Sequence, residues 1–492
     1  MKPRFCILLM GIGLLACAQN PIPIPQHPTN HPLPAYIGGP ATPDPVSTAA
    51  IPQNPFLAAN GRGHGHDDTY MSDVYFTGGP LGKSPIVLSS LLATPNDPVA
   101  DTIAMVFDQK GRIITATVLS LSPRLLLIDP VTLATLATFN IPTSGSAGGV
   151  YFYLDQSDHV VLPLLNRILV LAVIDNPPNP PAFTILKTYD LAAVVPAGSA
   201  ISYVLPEFTG RLWFATEGGV VGVLQPDTGA AATLSLNREQ INNGFAIDAT
   251  GGMFLASDHA MYRFDADVQG RPQISWREPY DRGARIKAGQ MEQGTGTTPT
   301  LMGTDYVTIT DNADPQMHVN VYRRATAVEG SRLLCSVPVF QPGHSATENS
   351  LIATERSIIV ENNAGTSVDF KHGKVLGTPF PGVTRIDVDD AGCHTVWTND
   401  SIRIPSAVSK LSVQNGLIYT YTYAKGPGGG VNGDDGYYFT AIDFHTGQTV
   451  FQRLIGQGTF FDNYYSAIHL GPDGKTAYVG VLTGLVAIRD AQ

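Results

Sequence analysis

The chain has 492 residues, 43% of them hydrophobic and 14% charged, with 50 glycines and 38 prolines. That is enough apolar residue to bury a large core, and the turn-forming residues are too dense for a mainly helical protein. A formal net charge of -11 with no basic stripe to offset it argues against nucleic acid as a partner.

In chain order, residues 1–17 read as a targeting signal: Met1-Lys2-Pro3-Arg4 is the positive start and Phe5 to Ala16 the apolar run. Leu14-Leu15-Ala16-Cys17 resembles the lipobox of bacterial lipoproteins, which implies a lipid on Cys17 and, with Ala18 and Gln19 following, the outer membrane. The alternative is an ordinary secretory signal cleaved nearby. In both cases the protein is expected to be exported, and the run is too short to be read as a membrane span. Residues 18–59 hold eleven prolines between Pro21 and Pro55 and one charge, Asp44. They predict an extended tether without a fold of its own, with the folded body, residues 60–492, starting near Asn60. His64-Gly65-His66-Asp67-Asp68 follows; it could coordinate a transition metal, and its glycine-rich setting reads as a solvated or capping loop.

From residue 100 onward the same shape recurs: an apolar strand, a turn rich in Asp, Gly, Asn or Lys, and a second apolar strand. AMVFDQKGRIITAT, GFAIDATGGMFLAS and NSLIATERSIIVEN are examples. Eight such hairpins at a period of about fifty residues, most followed by further strands, predict an all-β, eight-bladed β-propeller of four-stranded antiparallel blades. The last unit stops after three strands, so Ser84 to Leu92 is expected to supply its fourth and close the ring.

Thr-Gly turns such as Gln225-Pro226-Asp227-Thr228-Gly229 and Asp443-Phe444-His445-Thr446-Gly447 make residues 84–492 similar to the quinoprotein-dehydrogenase-like propellers, a group that also includes non-enzymatic outer-membrane assembly lipoproteins. That resemblance implies either a dehydrogenase or an envelope scaffold with envelope proteins as partners. Only Trp213, Trp276 and Trp397 are present and no two cysteines are adjacent, which counts against a quinone cofactor. With Cys6 lost in the signal and Cys17 lipidated, Cys335 and Cys393 are left as one disulfide between the outer parts of blades five and six, or as two separate buried thiols.

In a propeller, the start of each innermost strand and the end of the second lie together around the channel. This places Glu348 and Asn349 beside Glu361, Asn362 and Asn363, with Glu292, Gln293, Asp311, Asn312 and Asp314 on blade five and Asp462 and Asn463 on blade eight. Carboxylate and amide oxygens without a His/Cys cluster suit a hard cation, so Glu348, Asn349, Glu361, Asn362, Asp311 and Asn312 are candidate calcium ligands. That set resembles the calcium-dependent lactonases and phosphotriesterases, which implies a hydrolase. The alternative is that these groups only hydrogen-bond turns and join blade to blade. Arg282, Arg285 and Lys287 could hold a small polar ligand bearing carboxylate or phosphate, or could pair with Asp281 and Glu292. Gly428 to Gly433 matches a dinucleotide pattern without a helix to receive it, and Asp387 to Asp390 reads as an outer turn. The functional expectation is an exported scaffold or binding protein that takes calcium and a small polar or anionic ligand on the face of blades five to eight. A calcium-dependent hydrolase and a quinoprotein dehydrogenase are the alternatives.

Overall fold

The computed structural model describes residues 21–142, 151–369, 374–389, 391–427 and 433–491. The targeting signal with Cys6 and Cys17, residues 428–432 of the glycine motif and Asp390 lie outside the described residues.

Eight sheets form the blades of a propeller, each running outward in antiparallel order from an innermost strand. Blade four shows the logic: its strands are Phe245–Ile247, Met253–Ala256, Ala260–Ala266 and Pro272–Pro279. The first two are wholly buried because neighbouring blades cover both faces, so they read as continuous apolar runs, whereas the outermost strand faces water and turns polar. Ring closure follows the expectation. Ile86–Leu91 pairs antiparallel with Gly484–Arg489, outside Thr476–Val481 and Ile468–Leu470, and completes blade eight. The edge strand is only partly buried, which suits its mixture of apolar residues with Ser89 and Ser90.

Cys335, in the outer strand Leu333–Pro338 of blade five, is bonded to Cys393, in the outer strand Gly392–Arg403 of blade six, with α-carbons 6.1 Å apart. The bond staples two adjacent blades at the rim, where no other sheet crosses the gap. Blade six also carries a small hairpin, Thr366–Asp369 with Lys374–Gly377, inserted between its second and third strands.

The N-terminal part departs from the tether reading. Residues 21–59 lie along the outside and underside of the ring. Tyr36–Gly38 pairs with Thr449–Gln457 as a fifth strand on blade seven, and the N–H groups of Asp44 and Val46 donate to Asn415 and Val413. Ile24, Ala41 and Val46 are buried there. Proline prevents this segment from forming a sheet alone, yet its carbonyls and scattered apolar residues fit an existing edge; burial of Ile24 and Val46 is worth about 2 kcal/mol each.

His64 to Asp73 corrects the solvated-loop reading more sharply. This polar string fills the lower channel, with Asp67, Asp68, Thr69, Ser72 and Asp73 fully buried. Its carbonyls accept hydrogen bonds from the innermost strands in turn: Arg62 from Phe107 of blade one, Gly63 from Leu154 of blade two, Thr69 from Ile247 of blade four, Tyr70 from Leu301 of blade five, Ser72 from Ala353 of blade six and Asp73 from Leu411 of blade seven. Asn54 reaches blade three by donating from Nδ2 to Pro206 O. Inner-strand N–H groups facing an open channel would otherwise depend on water, so a plug made of carbonyls satisfies them.

A cup above the channel plug

The plug closes one end of the channel and leaves a cup of about 230 Å³ at the other. Its floor is His64, Gly65 and His66, and every blade contributes to the wall, including Ala104, Tyr151, Tyr203, Asn243, Thr298, Glu348, Val408 and Tyr465. Leu119, Met291 and Glu217 stand exposed at the rim, so the cup opens to solvent. The wall consists mainly of the starts of the innermost strands, with Val118, Leu119 and Glu217 added from just past the ends of second strands.

Below the floor lies a neutralised charge cluster. Lys410 is fully buried at the start of the innermost strand of blade seven. Its Nζ donates to Gly65 O at 2.7 Å, pairs with Asp73, and stands 3.4 Å from Asp67 Oδ2. Burial drives the ammonium toward losing its proton, but Asp67 and Asp73 outweigh that and hold its pKa above the usual lysine value. Burial pushes the Asp67 carboxyl up to about 8 against the pull of Lys410. His66 Nδ1 contacts Asp73 at 3.1 Å, and burial keeps His64 neutral by lowering its pKa well below the ordinary value.

In the cup itself three carboxyls, Glu217, Glu292 and Glu348, stand in a largely apolar wall. Glu348 is 9% exposed, and its Oε2 has no hydrogen-bond partner in the protein. Gly296 leaves the space this group occupies, since a β-carbon there would stand 2.2 Å from Thr347 O and 2.6 Å from Glu348 Oε2. Burial, opposed by the Met291 N–H and reinforced by Glu292, pushes the Glu348 pKa up to about 8. Glu292, whose Oε2 is also unpartnered, is pushed up to about 7 by burial and then by Glu217 and Asp258. Four tyrosines share the wall: Tyr151 and Tyr203 with ring centroids 4.6 Å apart, and Tyr464 and Tyr465 at 4.5 Å. Burial raises all four phenols, Tyr151 to about 12, and the Glu348 carboxylate adds to the rise in each.

The two Glu-Asn pairs do come together, but not around an ion. Asn349 Nδ2 donates to Glu361 Oε1 at 2.9 Å and to Ala407 O at 2.7 Å, and Ser409 Oγ donates to Glu361 Oε2 at 2.8 Å, which sews blade six to blade seven. Burial raises the Glu361 carboxyl to about 8 despite those bonds. Asn362 Nδ2 donates to His344 O and Pro381 O, while Asn363 Oδ1 accepts from Thr347 Oγ1 and the Glu348 N–H. On blade five, Asp311 pairs with His318 at 2.9 Å, and Asn312 Nδ2 donates to the Arg282 and Arg285 carbonyls.

The calcium expectation is therefore corrected: among the described residues no group of three or more His, Cys, Asp or Glu side chains is placed to hold a metal ion. The reason is geometric. Glu348 faces the cup, Glu361 faces the seam between blades six and seven, Asp311 is committed to His318, and the amides serve backbone groups. His64, His66, Asp67 and Asp68 likewise form no metal cluster. The cationic loop stays outside the cup. Arg282 pairs with Asp258 at 2.7 Å, Arg285 stands exposed 3.7 Å from Asp314, and buried Lys287 donates to Ala313 O at 2.6 Å. The tyrosines and the plug were missed by sequence reasoning. The signal was present in Tyr151, Tyr203 and Tyr464-Tyr465, each standing where a blade begins.

These features define an eight-bladed propeller with a one-mouthed acidic, aromatic cup. No family model matches the chain. An "Uncharacterized protein" of Archaeoglobus fulgidus is 27% identical over 327 residues, which cover 60% of this chain; the match spans 62% of that relative's length. Among solved structures, virginiamycin B lyase from Staphylococcus aureus is similar at a TM-score of 0.42 and 9% identity, over 83% of this chain and 99% of that one. The β-propeller domain of Myceliophteria thermophila Cps50 (Swd1) has a TM-score of 0.41 and 11% identity, over 82% of this chain and 100% of that one. Likeness at this level says nothing about what the cup binds.

Proposed function

We propose that the protein is an exported binding propeller that takes a small organic molecule into the cup. The observation that carries this reading is the cup itself, a chamber to which every blade contributes and whose wall holds the Glu348 carboxyl, with its buried Oε2 left without a hydrogen-bond partner by the protein. A buried polar atom of this kind costs stability unless something satisfies it. A volume of about 230 Å³ limits the occupant to a molecule smaller than the usual drug-sized ligand. The test is a small-molecule screen by thermal shift on wild type and on Ala104→Trp, which fills the cup. Ligands that stabilise wild type and not the variant support the site; equal stabilisation of both places binding elsewhere.

A second reading is acid-base chemistry on the bound molecule, as in a metal-free hydrolase or lyase. It draws on two carboxyls, Glu348 and Glu292, that hold their protons close to neutral pH. Turnover that is lost in Glu348→Gln while the ligand still binds would favour it. A quinone reading gains no support, because Trp213, Trp276 and Trp397 all stand away from the cup lining. Export is supported by the Cys335–Cys393 bond, which belongs to an oxidising compartment. The anchor is tested by Cys17→Ser: release from the membrane fraction supports it, and unchanged retention overturns it.

A further inference from the structure

We propose, resting on the reading of the cup as a small-molecule site, that its ligand carries a positively charged nitrogen. An ammonium or quaternary ammonium group would sit among Tyr151, Tyr203, Tyr464 and Tyr465 with Glu348 as its counter-charge.

The composition of the wall leads there. Three carboxyls line the cup, Glu217, Glu292 and Glu348, and no Lys or Arg stands among the residues lining it. The two histidines of the floor do not neutralise it: His64 is kept uncharged by burial, and His66 is turned to Asp73. Lys410 is engaged by Asp73, Asp67 and Gly65 O. An anionic ligand would meet three carboxyls, and a neutral one would offer the Glu348 carboxyl a neutral partner at best. A metal ion is disfavoured by geometry, since the carboxyls do not converge on a point. What fits dispersed carboxyls and aromatic rings is a cation whose charge is itself spread over several carbon atoms. Tyrosine rings attract such a group through the negative faces of their π-systems, and the attraction grows when water is excluded.

The placement of the groups agrees. Tyr151 belongs to blade two and Glu348 to blade six, so they face each other across a ring of eight. Tyr203 packs beside Tyr151, and Tyr464 and Tyr465 form a second, nearly perpendicular pair on the blade-eight side. A molecule in the middle of the cup therefore has rings on two sides and a buried carboxyl on a third.

The groups facing Glu348 are Glu292 from the approach to blade five, Glu217 from blade three, the four tyrosines, and His64 and His66 from the plug. With the cup empty, Glu348 holds its proton up to a pH of about 8. A bound cation favours the ionised form, so binding releases a proton and the affinity rises with pH, by up to about tenfold per unit below pH 8, and then levels off.

The experiment is calorimetric titration of the full chain with choline and with 3,3-dimethylbutan-1-ol, its uncharged carbon isostere, at about pH 6.5 and about pH 8.5. We expect choline to bind about tenfold or more tighter than the isostere, tighter at the higher pH, and with proton release. Glu348→Gln should remove most of the preference and weaken the pH dependence, leaving what the tyrosine rings and Glu292 supply, with the melting temperature of the variant showing that it is folded. Tyr151→Leu should weaken choline more than the isostere. If choline and isostere bind equally, or Glu348→Gln keeps the preference, the cationic ligand is wrong while the cup remains a binding site. The same holds if neither probe binds but neutral molecules stabilise wild type and not Ala104→Trp. If no small molecule of any charge binds in the cup, the reading of the cup itself falls as well.

Discussion

Replacing Lys410 by Met keeps the length and the burial of the side chain and removes its charge. In the native protein this ammonium is the only Lys or Arg group in contact with Asp67 and Asp73 among the described residues, and it also holds Gly65 O at 2.7 Å. Removing one partner of a buried ion pair strands the other, at a cost of about 3–5 kcal/mol. For a ring of this size roughly 1 kcal/mol corresponds to one degree, so the melting temperature should fall by about 4 °C at neutral pH. The deficit should depend on pH in a defined direction. Without Lys410, the Asp67 carboxyl, already held at about 8 in the native protein, rises further, so the variant keeps losing stability as pH rises through that value. Lys410 itself has a raised pKa, so its own contribution is lost only above the ordinary lysine range, outside the assay. Thermal unfolding of wild type and Lys410→Met at about pH 5 and about pH 8 should therefore show the larger gap at pH 8. Lys410→Met/Asp73→Asn should recover part of the loss. A variant as stable as wild type at pH 8, or a gap that widens toward acid, would refute the role given to this cluster.

The disulfide closes a loop with a sequence separation of 58, for which chain entropy gives about 4 kcal/mol. A reductant should lower the melting temperature of wild type but not of Cys335→Ser/Cys393→Ser, which should start lower by the same amount. Glu348 has a folded pKa of about 8 against an ordinary value near 4.3, so its burial costs stability increasingly from about pH 4 to about pH 8, at about 1.4 kcal/mol per unit. Glu348→Gln should match wild type at pH 4 and exceed it by about 4 kcal/mol at pH 7; pH titration of the unfolding free energy checks both values.

The blades were legible in the sequence because burial on two faces forces an unbroken apolar run on inner strands such as Leu212–Thr216 and Val220–Leu224, with turn residues between them. The closing strand followed from counting, and the cysteine pair from having only two candidates. The plug was not legible, because the rule that polar segments face water holds only when no partner is near. The partner of Asp73 is Lys410, 337 positions away. A lysine in the wholly buried innermost strand Lys410–Ser412 was the one local sign that a buried anion was waiting for it. The candidate site was half legible. Strand ends bring Glu348 and Glu361 to one face of the ring, but alternation fails where the strand frays into a loop. The sequence therefore could not say that one carboxyl turns into the cup and the other into the seam between blades.

Plug and cup depend on each other through charge. A buried lysine a short distance below a buried glutamate would ordinarily pair with it and cancel the acidity of the site. Here the plug engages Lys410 instead, through hydrogen bonds to Gly65 O and Asp73 and an ion-pair contact with Asp67. The environment of each glutamate reflects this division. Glu292 adds to the burial that raises Glu348, whereas Asp73 adds to the burial that raises Glu361. Glu348 thus belongs electrically to the cup and Glu361 to the plug, although the two flank one short hairpin. The polar string from His64 to Asp73 both satisfies the inner strands and screens the cup from the lysine beneath it, and this leaves an acidic, aromatic chamber open at one end.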